Sequence, residues 1–309
     1  MKNIKYSDLS LDEIVGQEEA IAELKQFARM IDQKELYKYW GIDIPRGILL
    51  TGPPGTGKTA SVKALAEELK GKVTLKELKY MDIASKWVDA PIEALRDFFK
   101  SVEAQARFGN VIVFIDELDS MIPDRSKDIH ETSAKRVNVF LEWMDGGFKA
   151  LNNVTIIGAT NHEDGIDKAA RRAGRFDKIV AFNQLDAKAL AIGLRIHLSK
   201  RDLDDNQLFD IDWEVVERSF RGKDLTGSDM PEIISRALSK KVSEHLDILN
   251  KEADWYSLDY DQQALLYNDV RFMPKGLSTE DISAAISCYK RGSITEEKKK
   301  LTIGFTNEL

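Results

Sequence analysis

Arg46-Gly47-Ile48-Leu49-Leu50-Thr51-Gly52-Pro53-Pro54-Gly55-Thr56-Gly57-Lys58-Thr59-Ala60 is the stretch that decides how this chain folds. It opens as a short apolar run, passes through glycine and proline, and continues from Lys58 to about Lys70 in a helical pattern. The order is strand, loop, helix, and within it Gly52-x₄-Gly57-Lys58-Thr59 satisfies the P-loop pattern in its confirming context. Glycines at these positions let the backbone curl until its N–H groups converge on phosphate oxygens. A helix that starts near Lys58 aims the positive end of its dipole at the same oxygens. Lys58 adds a full charge at the β- and γ-phosphates, and Thr59 offers a hydroxyl to Mg²⁺. The expected ligand of Gly52 to Ala60 is ATP with Mg²⁺.

Working outward, Ile21, Leu24, Phe27, Ala28 and Ile31 fall on one face of a helix. Val73–Tyr80 alternates as a strand, Ile92–Phe108 reads as a helix, and Val111–Ile115 is a continuous apolar run of the kind buried on both faces. A helix over Ser133–Met144, a buried strand over Val154–Gly158 and a fifth strand over Lys178–Phe182 follow. Strands alternating with helices predict an α/β fold, a parallel sheet between helical layers. After Asp186 the pattern changes. Ala187–Ser199, Trp213–Phe220, Asp229–Leu249 and Thr279–Tyr289 read as helices with no strand between them, and Asn250–Gly276 is left unassigned. The predicted organisation is a short lead (1–17), an α/β P-loop subdomain (18–185), a helical lid (186–292) and a tail (293–309).

Composition narrows the partners. With 45 Lys plus Arg against 52 Asp plus Glu, the net charge is -7, which argues against bulk nucleic-acid binding. One cysteine, Cys288, rules out an internal disulfide; it reads as a small half-buried residue on a late helix. No apolar run reaches 18 residues and no signal-peptide core opens the chain, so a cytoplasmic protein without a membrane span is expected.

Two more strand ends carry chemistry. Asp116-Glu117 follows the buried run Val111–Ile115, and ligands of open α/β sheets sit at the carboxyl ends of strands. Asp116 is placed to hold Mg²⁺, and Glu117 to act as general base on the attacking water. Thr160-Asn161 closes the next strand; Asn161 there is either an amide that orients the water or a turn residue. The run Asp167–Asp177 packs Arg171, Arg172 and Arg175 into five residues, either to stabilise charge on a transferring phosphoryl group or to pair with surface acids.

Taken together these motifs resemble the AAA+ ATPases, in the branch of valosin-containing protein, the proteasomal ATPases, the FtsH-type proteases and katanin and spastin. The likeness runs from about Ile14 to Ala285. Gly52–Thr59 is similar to Walker A, Ile112–Asp119 to Walker B, and Gly158-Ala159-Thr160-Asn161 to the sensor 1 strand. By that resemblance Arg172 and Arg175 are arginine fingers given to the ATP of an adjacent subunit, with Ala173 where the family usually has proline. Ile14-Val15-Gly16 is similar to the segment that packs on adenine. His197 falls where the family's helical domain places a histidine near base and ribose. Thr226-Gly227-Ser228-Asp229 resembles a segment beside the nucleotide, and Met144–Phe148 an inter-subunit signalling segment with one extra glycine.

The resemblance also implies a ring. Ser85-Lys86-Trp87-Val88 is similar to the first pore loop, whose aromatic residue grips polypeptide in the channel of a hexamer; Asp89 replaces the usual glycine. Asp128–Arg136 falls at the second pore loop. The implied function is ATP-driven unfolding or remodelling of a protein substrate by a homo-hexamer. The alternatives are an ATP-gated assembly switch that threads nothing and, against the acidic balance, a nucleic-acid-handling relative. No protease motif and no sizeable adaptor domain is read in the chain.

Overall fold

The computed structural model describes residues 10–80, 83, 90–126, 131–147, 153–172, 174–201, 203, 208, 210–253, 255–266, 269 and 273–289. The chain divides into two compact units, Met1–Gln184 and Leu185–Leu309.

The first unit is a five-stranded parallel sheet, β1 (Gly47–Thr51), β2 (Val73–Leu78), β3 (Asn110–Ile115), β4 (Val154–Thr160) and β5 (Lys178–Ala181), in the order β2-β3-β4-β1-β5. Side chains alternate across each strand, so consecutive apolar residues serve opposite layers. Ile48 and Leu50 face α1 (Glu18–Asp32) and α3 (Lys58–Glu68) together with Ile112, Phe114 and Ile157; α2 (Lys34–Tyr39) connects α1 towards β1. Leu49 points the other way with Val111, Val113 and Ile156, against α4 (Ala90–Ala106) and α6 (Glu131–Glu142). This double burial is why β1, β3 and β4 read as unbroken apolar runs. Each fully buried Leu or Ile contributes about 2 kcal/mol of transfer free energy.

Most elements fall where the periodicity predicts, with ends shifted by a few residues. β2 stops at Leu78, and Tyr80 instead packs onto the core cluster of the α4/α6 layer. One element has no periodicity to announce it: α5 (Leu118–Met121), a single turn directly after β3. Beyond it the chain is stapled to the turn after β4. Asp124 N donates to Gly165 O at 2.9 Å and Asp167 N to Ile122 O at 3.1 Å. Arg125 forks onto the buried Asp167, Nε to Oδ2 at 2.6 Å and Nη2 to Oδ1 at 3.2 Å.

The second unit is helical: α7 (Ala187–Ser199), α8 (Trp213–Phe220), α9 (Met230–Ala253), α10 (Tyr260–Leu266) and α11 (Thr279–Cys288) around a core that includes Leu194, Phe220, Ile233 and Ile282. Asp186, Asp212 and Ser278 cap α7, α8 and α11 through their side-chain oxygens. The unassigned stretch 250–276 contributes α10. Cys288 is exposed rather than half-buried, because Ile282, Ala285 and Ile286 define the inner face of α11 and position 288 falls off it. Among the described residues no helix is long and apolar enough to cross a membrane.

Burial pushes the Asp167 carboxyl up, but the Arg125 fork and backbone N–H donors outweigh it and hold the pKa below the ordinary value. Arg125→Met leaves that carboxylate buried and unpaired. Because Arg125 is about a third exposed, the expected loss is roughly 2 kcal/mol, below the usual cost of breaking a fully buried pair. A depressed carboxylate pKa stabilises above the unfolded value and loses that stabilisation as pH falls. Urea melts of wild type and variant should therefore differ at pH 7, and the gap should start to shrink near pH 4 and close only as the pH falls through the depressed native value; a gap that does not shrink in acid contradicts the assignment.

Candidate nucleotide site

The strand order sets β3, β4 and β1 side by side and parallel, so their carboxyl ends share one edge of the sheet. Asp116-Glu117 leaves β3, Asn161 leaves β4 and the glycine loop leaves β1. With ~4.8 Å between strands, the three exits fit within roughly 10 Å.

The loop needs its glycines. Gly52, Gly55 and Gly57 have φ of 137°, 72° and 100°, a region that side chains disfavour. A Cβ on Gly52 would also lie 2.0 Å from Phe182 O. Thr56 Oγ1 donates to Pro53 O at 2.9 Å and closes the loop. Gly57 then starts α3 with no side-chain cap, so the first N–H groups of that helix are left to a ligand.

Lys58 lies in the first turn and is 6% exposed. Its ammonium donates to Gly52 O at 2.7 Å, Pro53 O at 2.7 Å and Asn161 Oδ1 at 2.8 Å. Burial pulls its pKa below the ordinary lysine value, with Asp116 opposing the shift. Thr59 Oγ1 donates to Asp116 Oδ2 at 2.8 Å, and the Glu117 N–H donates to Asp116 Oδ1 at 3.0 Å. These bonds bring together the residues expected from three separate motifs. The Asn161 amide oxygen accepts from the lysine, so its side chain lies at the loop.

The donor set fits ATP and Mg²⁺. A curled run of glycines, uncapped helix N–H groups and a buried ammonium suit phosphate oxygens. Mg²⁺ typically takes one or two protein oxygens and completes its shell with water and phosphate. The adjacent Thr59 hydroxyl and Asp116 carboxylate supply that kind of site.

Glu117 is the one non-glycine residue with positive φ among the described residues, at 50°. That conformation costs about 1–2 kcal/mol and is held by its surroundings. Leu118 is buried against Gly158, whose Cβ position would lie 2.5 Å from Leu118 Cδ2. Asp119 accepts from Thr160 Oγ1 at 2.6 Å. The Glu117 side chain is exposed at the site edge.

Of Ile14, Val15 and Gly16, the first meets the loop: the Cβ position of Gly57 lies 3.4 Å from Ile14 Cγ2. The neighbouring Gln17 fixes this segment by two bonds to the Asn183 backbone, 2.7 Å to the carbonyl and 2.9 Å from the N–H. His197, Gly227 and Ser228 belong to the second unit. There, burial lowers the His197 pKa, with Lys200 and Arg201 adding to it, and its buried Nδ1 has no hydrogen-bond partner among the described residues. Gly227 and Ser228 sit in a turn closed by Thr226 and the buried Asp229.

The two arginines expected as fingers differ. Arg172 is exposed, and no ion pair holds it among the described residues. Arg175 forks onto Asp145, Nε to Oδ1 at 2.8 Å and Nη2 to Oδ2 at 2.5 Å, and donates to Ala169 O at 2.5 Å. Its carbonyl abuts the amino end of β1, where a Cβ on Gly47 would lie 2.1 Å away. Lys86, Trp87, Val88, Asp89, the first part of the second pore-loop segment (128–130), Phe148 and Ala173 lie outside the described residues. The Arg125–Asp167 and Arg175–Asp145 pairs escape sequence reading, because their members are 42 and 30 residues apart.

A parallel sheet with a P-loop after β1, an amide after the adjacent β4 and acids after β3 defines a nucleotide-dependent P-loop enzyme. Residues 48–184 match the family described as "ATPase family associated with various cellular activities (AAA)". The chain is 32% identical over 235 residues to the mitochondrial inner membrane i-AAA protease supercomplex subunit YME1 of Saccharomyces cerevisiae, covering 76% of this chain and 30% of that protein. It is 33% identical over 264 residues to Protein SAV of Sulfolobus acidocaldarius, covering 85% of this chain and 31% of that protein. The chain thus spans about a third of the length of these relatives. Residues 48–184 are therefore an AAA domain, and the chain is similar to the AAA+ ATP-hydrolysing enzymes of the branch that the motifs indicate.

Replacing Lys58 by Ala removes the one cation inside the loop. Affinity for a fluorescent ATP analogue should fall at least a hundredfold while the far-ultraviolet spectrum is kept; affinity within threefold of wild type contradicts the assignment.

Proposed function

We propose that this chain hydrolyses ATP with Mg²⁺ and uses the cycle to unfold or remodel proteins as a ring-forming homo-oligomer, a hexamer by resemblance. The observation that carries the hydrolytic half is the pair of bonds Lys58–Asn161 and Thr59–Asp116, which join three strand ends into one site. In this reading the loop N–H groups and Lys58 hold the β- and γ-phosphates, and Thr59 and Asp116 hold Mg²⁺, which would supply charge neutralisation at the phosphates. Glu117 takes the proton of the attacking water. Asn161, on the same edge, orients that water or the γ-phosphate. By the resemblance, Ile14, Val15 and Gly16 serve the base.

The ring reading draws support from where Arg172 lies. The turn that holds it closes on Arg175, whose carbonyl meets the amino end of β1, whereas the phosphate loop leaves the carboxyl end. Five residues of strand, roughly 16 Å, separate the two ends. A solvated arginine with no ion pair among the described residues, at the other end of β1 from its own loop, suits a finger donated to a neighbour. Arg175, tied to Asp145, supports the turn in this conformation and joins the neighbour's site only by releasing that pair. For the polypeptide contact the support is the resemblance of Lys86-Trp87-Val88 to a pore loop and the YME1 relative, whose name includes a protease.

Glu117→Gln should bind ATP with near wild-type affinity and hydrolyse it at least a hundredfold more slowly; equal rates contradict the general-base role. Mixing Arg172→Ala with Lys58→Ala subunits, each inactive alone, should restore part of the ATPase rate. Mixed assemblies verified by mass photometry that stay inactive contradict donation in trans.

A further inference from the structure

Gln17 stands at the N-cap of α1, a position where a short polar side chain usually accepts from the first helical N–H groups. Its side chain makes no such bond. The amide is spent elsewhere: Nε2 donates to Asn183 O at 2.7 Å, and Asn183 N donates to Oε1 at 2.9 Å. A side-chain amide that meets the N–H and the C=O of one residue imitates a rung of a sheet ladder, here between residues 166 positions apart. Gln17 is 3% exposed, so both its polar atoms need these partners.

The place of the rung matters. Phe182 N donates to Thr51 O at 2.7 Å, and the Phe182 carbonyl walls Gly52, the first glycine of the loop. Asn183 follows directly on that backbone. At the other end of the segment, Ile14 meets Gly57, the last glycine of the loop. Residues 14–17 are therefore referenced to both ends of the phosphate loop.

Between the two anchors, Val15 and Gly16 are half-buried, and their backbone groups make no hydrogen bond among the described residues. Gly16 has φ 71°, the left-handed conformation that turns the chain into α1. Apolar side chains beside an unspent peptide edge suit a heterocyclic base, its face on the aliphatic carbons and its ring edge on the backbone.

We infer that Gln17 is a positioning residue for nucleobase binding: its bridge to Asn183 holds Val15 and Gly16 in place, so that a base joined to loop-bound phosphates finds its contacts already ordered. The inference rests on the proposed role of Ile14, Val15 and Gly16 at the base. Without the bridge the nucleotide itself must order the segment, and affinity falls by that cost. The hold on the phosphates does not pass through Gln17, because the loop is closed by Thr56 on Pro53 O and by Lys58 on Gly52 O and Pro53 O.

The test uses the full chain with Mg²⁺ and two ligands titrated by calorimetry, ATP and inorganic tripolyphosphate. Wild type should bind ATP at least tenfold more tightly than tripolyphosphate. Gln17→Met keeps the length of the side chain and loses both bonds. It should bind ATP at least tenfold more weakly and tripolyphosphate within twofold of wild type, and raise KM for ATP with kcat kept within threefold. Gln17→Ser is too short to reach Asn183 but supplies a cap to α1, which separates the bridge from the stability of that helix; it should show the same split. If Gln17→Met does not fold, Gln17→Ser decides. ATP affinity within twofold of wild type in a folded variant overturns the inference. A parallel loss of affinity for both ligands, or loss of folding in both variants, overturns it too, since the bridge is then purely structural. Wild type that binds the two ligands equally overturns the base reading itself, and that result is read before any variant is made.

Discussion

The ammonium of Lys58 sits almost out of reach of water, held by two carbonyls of its own loop and the amide oxygen at the end of β4. A lone buried charge is costly, and burial shifts this one toward its neutral form. It stays charged because three acceptors and the nearby Asp116 compensate it. The acceptors are in place only if β1 and β4 are adjacent, parallel and in the register that pairs Thr51 with Thr160. The site and the sheet are thus one constraint: a slip of one residue would turn every buried side chain to the wrong layer and withdraw the loop and Asn161 from each other.

Rigidity is distributed unevenly around this centre. The binding elements are tied directly: Thr59 to Asp116, Asp116 to the Glu117 backbone, Asn161 to Lys58. Glu117 itself is held at one remove, by Leu118 against Gly158, Asp119 on Thr160 and Arg136 on the end of α5. Phosphate binding needs donors that converge and stay; proton abstraction needs a carboxylate whose aim can be tuned. A strained backbone with an untethered side chain suits the second task, since a small rotation of one helical turn moves the carboxylate by much more than it moves the P-loop.

Much of the fold was legible because burial on two faces writes strands as plain apolar runs, and because the P-loop needs glycine where few other residues fit. Asp116, Glu117 and Asn161 were legible by position, each following such a run. The rest depends on contacts that no local pattern carries. α5 has too few residues to show a period. Arg136 ends the segment read as the second pore loop, yet it is buried on two backbone carbonyls that nothing in the sequence announces. Arg172 and Arg175 look alike in sequence and part in structure, because Asp145, thirty residues away, captures only one of them.

That parting bears on how a site shared between subunits can be built. In a parallel sheet the two ends of the strands do different work: loops at the carboxyl ends converge on the ligand, while loops at the amino ends face away from it. A cation at the amino end stays solvated and costs little in the free chain, whereas the same charge placed near Lys58 would repel it and lose its own hydration. Supplying the last positive charge from a second copy avoids holding both cations together before the nucleotide arrives. The proposed dependence of hydrolysis on assembly then follows from electrostatics: the charge that favours the transition state is the one that a single chain could not keep beside its own lysine without cost.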